Sequence, residues 1–358
     1  MPMRYDSQTV HDWVQQLYEA YGFEAGDAQA VANMITYTDL HGIASHGVQR
    51  LSMYDRFIQA GKIDLHAQPE IVFETPVSAV VDGHLGMGQL IGTFAMNTAI
   101  QKAKTSGVGI VSVRNSNHYG IAGYYANLAA DAGLIGFSST NSNPGLIPTN
   151  GIHSFLGTDP IAFAMPAKPH HFWLDFATTT VPQGKVEVYR KLEKDFPADW
   201  VLADGTRPIH DHNAPELAGI RQQSAPVGLT PLGGFTEATG SHKGYGLAMI
   251  VEIFTGLFSG GALSPEISDG QHAGTSHSFI AIDPAIFGDS RTMFSRFDDF
   301  LQQLRAQPAV AGKQVYVHGD KEAAAYADRK ANGLVIDDKT FAELVKISQR
   351  LQVDVPEF

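Results

Sequence analysis

Residues 107–140, GVGIVSVRNSNHYGIAGYYANLAADAGLIGFSST, decide how the chain folds. The apolar run from Val108 to Val113 reads as a buried strand, residues 121–132 read as a helix, and LIGFSST at 134–140 reads as a second strand. Strand, helix and strand in close succession argue for an α/β core. Between the first two elements stands RNSNHYG, residues 114–120, dense in hydrogen-bonding groups. It can be a turn whose Asn and Ser side chains satisfy local backbone. It can equally be a ligand loop at the end of a central strand, where open α/β sheets place their sites.

Upstream, strands are expected at 71–74 and 78–83 and a helix at 89–105; downstream, strands at IAFAMP, HFWLDF, HSFIAID and KQVYV. Residues 195–242, rich in Pro, Gly, Asp and His, are expected to wrap the surface as irregular loops. From Ser7 to about Gly61 the pattern is helical. Ser7 is placed as the cap of a helix carrying Val10, Trp13, Val14, Leu17 and Tyr18, and Ser45 as the cap of a third helix. The tail from Lys321 is helical again, with Phe341, Leu344, Ile347 and Leu351 on one face. Residues 1–75 with 321–358 therefore form an expected helical lobe, and 76–320 an α/β domain. The apolar stretch 244–263 is read as a buried core helix, because Glu252 and several glycines interrupt it.

The 358 residues suffice for two domains, and a net charge of −12 argues against nucleic-acid or anionic-membrane binding. The chain has no cysteine, which excludes disulfides, thiolate metal sites and a Cys nucleophile and accords with a reducing cytoplasm. Its N-terminus lacks the unbroken apolar core of a secretory signal.

GMGQLIG at 86–92 imitates a dinucleotide fingerprint, but its glycines are spaced G-x-G-x-x-x-G and the next strand ends in Arg114 instead of an acidic residue. A glycine-rich turn is the better reading. In DLHGIASHGVQRLSMYDRF, residues 39–57, a helix capped by Ser45 would put His46 and Arg50 on one face. An imidazole that titrates near neutrality beside a guanidinium that can grip a carboxylate is chemistry for a carboxylic substrate. The alternative is a solvated helix face shared with Asp55 and Arg56. Asp175 ends an apolar run and could accept from ribose hydroxyls, while Lys243 at a helix start suits a phosphate. Metal catalysis is disfavoured: HDH at 210–212 has no third ligand at a recognisable spacing.

Taken in order, DLHGIASHGVQRL, VRNSNHYGIAGYYA, TNSNP, LGTDPIAFAMP, DFATT with GK, and SHKGYGLAMIVEIFTGLFSGG resemble the type 2 malate/L-lactate dehydrogenase family over roughly residues 5–320. The resemblance implies a homodimer of non-Rossmann, mixed-sheet α/β fold with a helical lobe, binding NAD or NADP near the subunit interface. It implies catalysis by His118 and His46, with Ser45, Arg50 and Tyr54 at the substrate; Arg114 is added here as a second cation for the substrate carboxylate. Ser142, Asp175, Phe176, Ala177, Lys243, Gly244, His318, Gly319 and Asp320 fall on cofactor positions. The chain departs from the family at His41, where Arg is usual, at Asp159, where Asn is usual, and at HGD 318–320, where Pro-Gly-Glu is usual. The implied reaction is hydride transfer at C2 of a malate- or lactate-like 2-hydroxy acid. A cyclic imino acid reductase and a non-catalytic nicotinamide-binding relative are the alternatives.

Overall fold

The computed structural model describes residues 3–197, 199–220, 222, 225–267 and 274–357. The chain begins β1 (Arg4–Tyr5), α1 (Ser7–Tyr21), α2 (Ala25–Leu40), α3 (Leu51–Gln59), β2 (Glu70–Glu74), β3 (Ser78–Asp82), α4 (Gly88–Ser106), β4 (Val108–Ser116), α5 (Ala122–Asp131) and β5 (Ile135–Thr140). It continues β6 (Ile161–Met165), β7 (Phe172–Phe176), α6 (Gln183–Lys191), β8 (Val201–Ala203), β9 (Arg207–Pro208), β10 (Val227–Leu229) and α7 (Ser241–Glu252). The last elements are β11 (Thr275–Ile282), α8 (Ser290–Arg305), α9 (Asp320–Asn332), β12 (Leu334–Val335) and α10 (Asp338–Leu351).

Seven strands form one mixed sheet in the order β2-β3-β4-β11-β5-β6-β7. Only β3 and β4 pair in parallel, so this is not a doubly wound dinucleotide fold. β11 enters from far along the chain and separates β4 from β5, which are consecutive in sequence. Alternate residues Val111, Val113, Phe279, Ala281, Ala162 and Ala164 point into one core with Ala95, Ala99, Ala103, Ala126 and Ala129 of α4 and α5. Small side chains on both surfaces let these helices approach closely. At Gly109 a Cβ would lie 2.0 Å from the Ala99 carbonyl oxygen, a backbone atom that cannot swing aside. Gly109→Ala is therefore expected to destabilise the fold by about 1–3 kcal/mol, the usual cost of overpacking. An unchanged denaturation midpoint in urea would contradict this.

A second core joins the two ends of the chain: Trp13, Leu17 and Tyr18 of α1, Val31 and Ile35 of α2 and Leu51 of α3 pack with Leu344 and Ile347 of α10. Trp13 Nε1 donates to Ser348 Oγ across this junction at 2.8 Å. The cap of α1 is Asp6 and not Ser7: the Asp6 carboxylate accepts from the Thr9 amide at 2.8 Å while Ser7 is already the first helical residue.

Two other expectations fail locally. KQVYV at 313–317 forms no ladder, and residues 195–242 are more than surface loops. β10, β8 and β9 make a small antiparallel sheet over a core of Val186, Phe196, Trp200, Ile209 and Leu217. Strands of two or three residues separated by Pro and Gly carry too little periodicity to be read from sequence. The stretch 244–263 is helical but only half covered: α7 runs into a π-helical turn, Ile253–Leu257. Ala248, Val251, Glu252 and Thr255 face inward, whereas Met249, Ile250, Ile253, Leu257 and Phe258 are 39–62% exposed. No helix among the described residues is long and apolar enough to cross a membrane.

Candidate active site

RNSNHYG divides its labour. Arg114 Nε donates to Asp82 Oδ2 at 2.9 Å, and Asn115, in a left-handed conformation at φ 52°, donates to both Asp82 oxygens at 3.0 Å. Asn117 Nδ2 donates to the carbonyls of Leu85, Gly86 and Lys62 at 2.8, 3.1 and 3.2 Å. These groups rivet the end of β4 to the strand and turn beside it. Gly88 lets α4 start against them, since a Cβ there would lie 2.2 Å from the Asn117 carbonyl. His118 is left facing a cavity of about 510 Å³.

His46, Arg50, Asn117, His118, Ser142, Asn143, Thr158 and Gly184 share that cavity. The His118 Nδ1 is 2.7 Å from the Tyr54 hydroxyl and 3.3 Å from the Gly120 amide, which donates to it. In neutral His118 this pairing places the proton on Nε2. Burial keeps the Tyr54 phenol well above its ordinary range, so it remains a hydroxyl able to hold the ring in either charge state. The His46 ring lies parallel to His118, 5.6 Å between centroids, and its Nδ1 is 2.9 Å from Ser45 Oγ.

The route that brings His46 and Arg50 together differs from the sequence reading. Ser45 caps no helix. It lies inside a 3-10 turn, Ala44–His46; Gly47 then breaks the path at φ −85°, ψ −141°, a second 3-10 turn spans Val48–Arg50, and α3 starts at Leu51. The kink folds over Asp39, whose carboxylate accepts from the Val48 amide at 2.8 Å. A Cβ at Gly47 would lie 2.1 Å from that carboxylate, so only glycine fits. Helical periodicity is thus replaced by a kink fastened from below.

Asp39 is almost wholly buried, and burial pushes its carboxyl up to about 7 against the opposing pulls of the Val48 amide and the Arg329 guanidinium. Its folded value lies above its unfolded value of ~3.9, so its stabilising contribution is complete below pH ~4 and is lost as pH rises through about 7. Asp39→Asn mimics the protonated acid at every pH. Relative to the unaltered chain, the variant should gain thermal stability at pH 8 over pH 5; an equal difference at both values would show that Asp39 does not titrate with unfolding.

Arg50, only 6% exposed, donates from Nε to the Ser45 carbonyl at 2.6 Å and from Nη1 to Glu187 Oε2 of α6 at 2.8 Å. Gly184 makes room for it, since a Cβ there would lie 2.5 Å from Nη2. Arg114 is a different case: held by Asp82, it does not line the cavity.

Among the nine residues expected at a cofactor, Ser142 lines the cavity. Its Oγ accepts from the Thr158 amide at 3.1 Å, and its own amide donates to Asp159 Oδ1 at 3.2 Å. Asp159 is fully buried, and burial together with the nearby Glu252 carboxyl drives its own carboxyl far upward. Asp175 accepts from the Gly123 amide at the start of α5 at 2.7 Å, with its carboxyl raised to about 6 by burial. Phe176 ends β7 opposite Ile161, and Ala177 follows it. Lys243, exposed, and Gly244, packed on the Leu232 backbone, sit in the first turn of α7. His318 and Gly319 precede α9, and Asp320 is clamped by Arg305 and His170, each at 2.8 Å. None of these eight lines the cavity that holds the histidines. His41, also outside it, packs edge-on against Trp173 and tilted against Tyr37 and Tyr326.

Sequence reasoning overlooked Asp39 and Glu187. The only signal for either was a neighbouring glycine, and nothing in the sequence says what such a glycine makes room for. HDH at 210–212 does acquire a third group in space: Asp195, Asp211 and His212 bring ligand atoms within 4.8 Å of one another, on the surface and away from the cavity.

A family model described as malate/L-lactate dehydrogenase matches residues 5–345. A malate dehydrogenase of Pyrococcus horikoshii is 38% identical, covering 98% of this chain and 96% of its own. An L-sulfolactate dehydrogenase of Methanocaldococcus jannaschii is 33% identical, covering 94% of each. The crystal structure of malate dehydrogenase from Entamoeba histolytica superposes with a TM-score of 0.95 at 33% identity, covering 100% of both chains.

Proposed function

The chain belongs to the malate/L-lactate dehydrogenase family, and from that premise we propose that it interconverts a small malate- or lactate-like 2-hydroxy acid and its 2-oxo acid, using NAD or NADP. The observation that carries this reading is the meeting of His46, His118 and Arg50 on one cavity from segments about seventy residues apart. When bound, the nicotinamide supplies the hydride that C2 takes up in reduction and receives it in oxidation. The donor set suits such a group: Ser142, Asn143 and Thr158 offer hydroxyl and amide partners at the cavity, and the exposed Lys243 ammonium at the start of α7 suits a pyrophosphate.

Arg50 pairs with the substrate carboxylate and so fixes which face of C2 is presented. His118 gives a proton to the C2 oxygen as the C=O bond becomes C–OH, and takes it back in oxidation; Tyr54 keeps the ring aligned throughout. His46, parallel to it and anchored to Ser45, contacts the substrate. Asp39 and Glu187 act on these groups from behind.

A panel of oxaloacetate, pyruvate and one cyclic imine, each assayed with NADH and NADPH, tests the reading. Consumption of reduced cofactor with a 2-oxo acid supports it. Turnover of the imine alone, or cofactor binding without any turnover, would overturn it. We also propose a homodimer, supported by the exposed apolar stripe Ile250, Ile253, Leu257 and Phe258. Light scattering should give twice the chain mass, and Leu257→Glu should halve it; a chain already monomeric would refute the dimer.

A further inference from the structure

A second cavity, of about 410 Å³, shares Arg50 and Met53 with the catalytic one. Its charges do not balance. Glu187 is held by Arg50 at 2.8 Å, and Glu343 by Lys191 at 3.7 Å. Arg56 of α3 and Arg190 of the last turn of α6 line the same space, and neither makes an ion pair among the described residues. Ser52, Gln49 and Asn213 add hydroxyl and amide donors. In a chain of net charge −12, a concavity lined by four cationic side chains and only two carboxylates, both of them paired with Arg50 and Lys191, is a local reversal of sign. Guanidinium forks match the oxygens of carboxylates and phosphates.

We propose that this cavity binds a small multivalent oxyanion, and that the anion regulates the enzyme through Arg50. The buried Arg50 guanidinium is the shared wall. A negative charge on the Glu187 side offsets the field that Arg50 directs at a substrate carboxylate, so affinity for the 2-oxo acid falls while the proton-transfer groups are untouched. By linkage, bound substrate weakens the anion by the same factor.

The test uses the full chain, with citrate and inorganic phosphate as probes and ionic strength held constant with potassium chloride. KM for the 2-oxo acid should rise to a ceiling roughly fivefold or more above its starting value, the scale of an ordinary coupling energy, with kcat unchanged. Arg190→Gln and Arg56→Gln should abolish the rise and leave KM without anion unaltered. A response to citrate alone assigns a carboxylate ligand, and a response to phosphate alone a phosphate. A KM that climbs without limit and does so equally in both variants would mean that the anion competes in the catalytic cavity, and the proposal would fall. No change beyond that of chloride would overturn it equally. The kinetic arm rests on the proposed oxidoreductase activity. Calorimetric titration of the chain with citrate, without substrate, does not: saturable heat lost in Arg190→Gln supports the site even if no 2-oxo acid is turned over, and its absence from an active enzyme removes the site alone.

Discussion

His118→Gln should lower kcat for reduction of the 2-oxo acid by ~10²-fold or more, the usual loss when a general acid is removed, and leave the dissociation constant of the nicotinamide cofactor unchanged. Glutamine can reach Tyr54, now 2.7 Å from His118 Nδ1, and so keep the loop in place, but it cannot exchange a proton near neutrality. The comparison that matters is with His46→Gln. His46 is tied to Ser45 through Nδ1 and lies parallel to His118, so its loss should raise KM more than it lowers kcat. If His46→Gln instead collapses kcat and His118→Gln does not, the two roles are exchanged. Pre-steady-state measurement of the first turnover separates this from an effect on product release.

Arg50→Lys should be nearly as damaging, with kcat/KM falling roughly 30-fold or more, which corresponds to the ~2 kcal/mol or greater cost of breaking a buried, hydrogen-bonded charge pair. The side chain spans three partners at once: the Ser45 carbonyl, the Glu187 carboxylate and the cavity. An ammonium on a flexible stem keeps the charge but lacks the planar fork that reaches all three. The loss should lie mainly in KM, and Glu187 left with a weakened partner should lower the melting temperature as well. Wild-type KM in the lysine variant would show that Arg50 braces the His46 segment without touching substrate.

Spacing alone left SHGVQR and NSNHYG open between a site and a solvated face or turn, and the family resemblance decided between them. SHGVQR and NSNHYG are unusual in density and in type, and both cavity histidines were named from them. The path between them was not legible. A serine followed by a helical apolar pattern is a fair N-cap signal, and it failed here because a buried carboxylate, Asp39, captures the Val48 amide and holds a kink at Gly47. Arg114 was added as a second cation for the substrate carboxylate, whereas in the fold it donates to Asp82, thirty-two residues earlier, and does not line the cavity. The small sheet of β8, β9 and β10 escaped because its strands are too short to show a period.

By itself, the sequence determined the α/β class, the helical lobe made from both ends and the failure of a dinucleotide fingerprint. These are properties of composition, period and local spacing, each set by residues within about one element of one another. Only the tertiary structure decided that β11 would divide β4 from β5, that Asp39 would fasten the His46 turn, and that Glu187 would face Arg50 between two cavities. Each of those depends on a partner distant along the chain or on a buried charge seeking one, and such pairings are chosen by the packed whole.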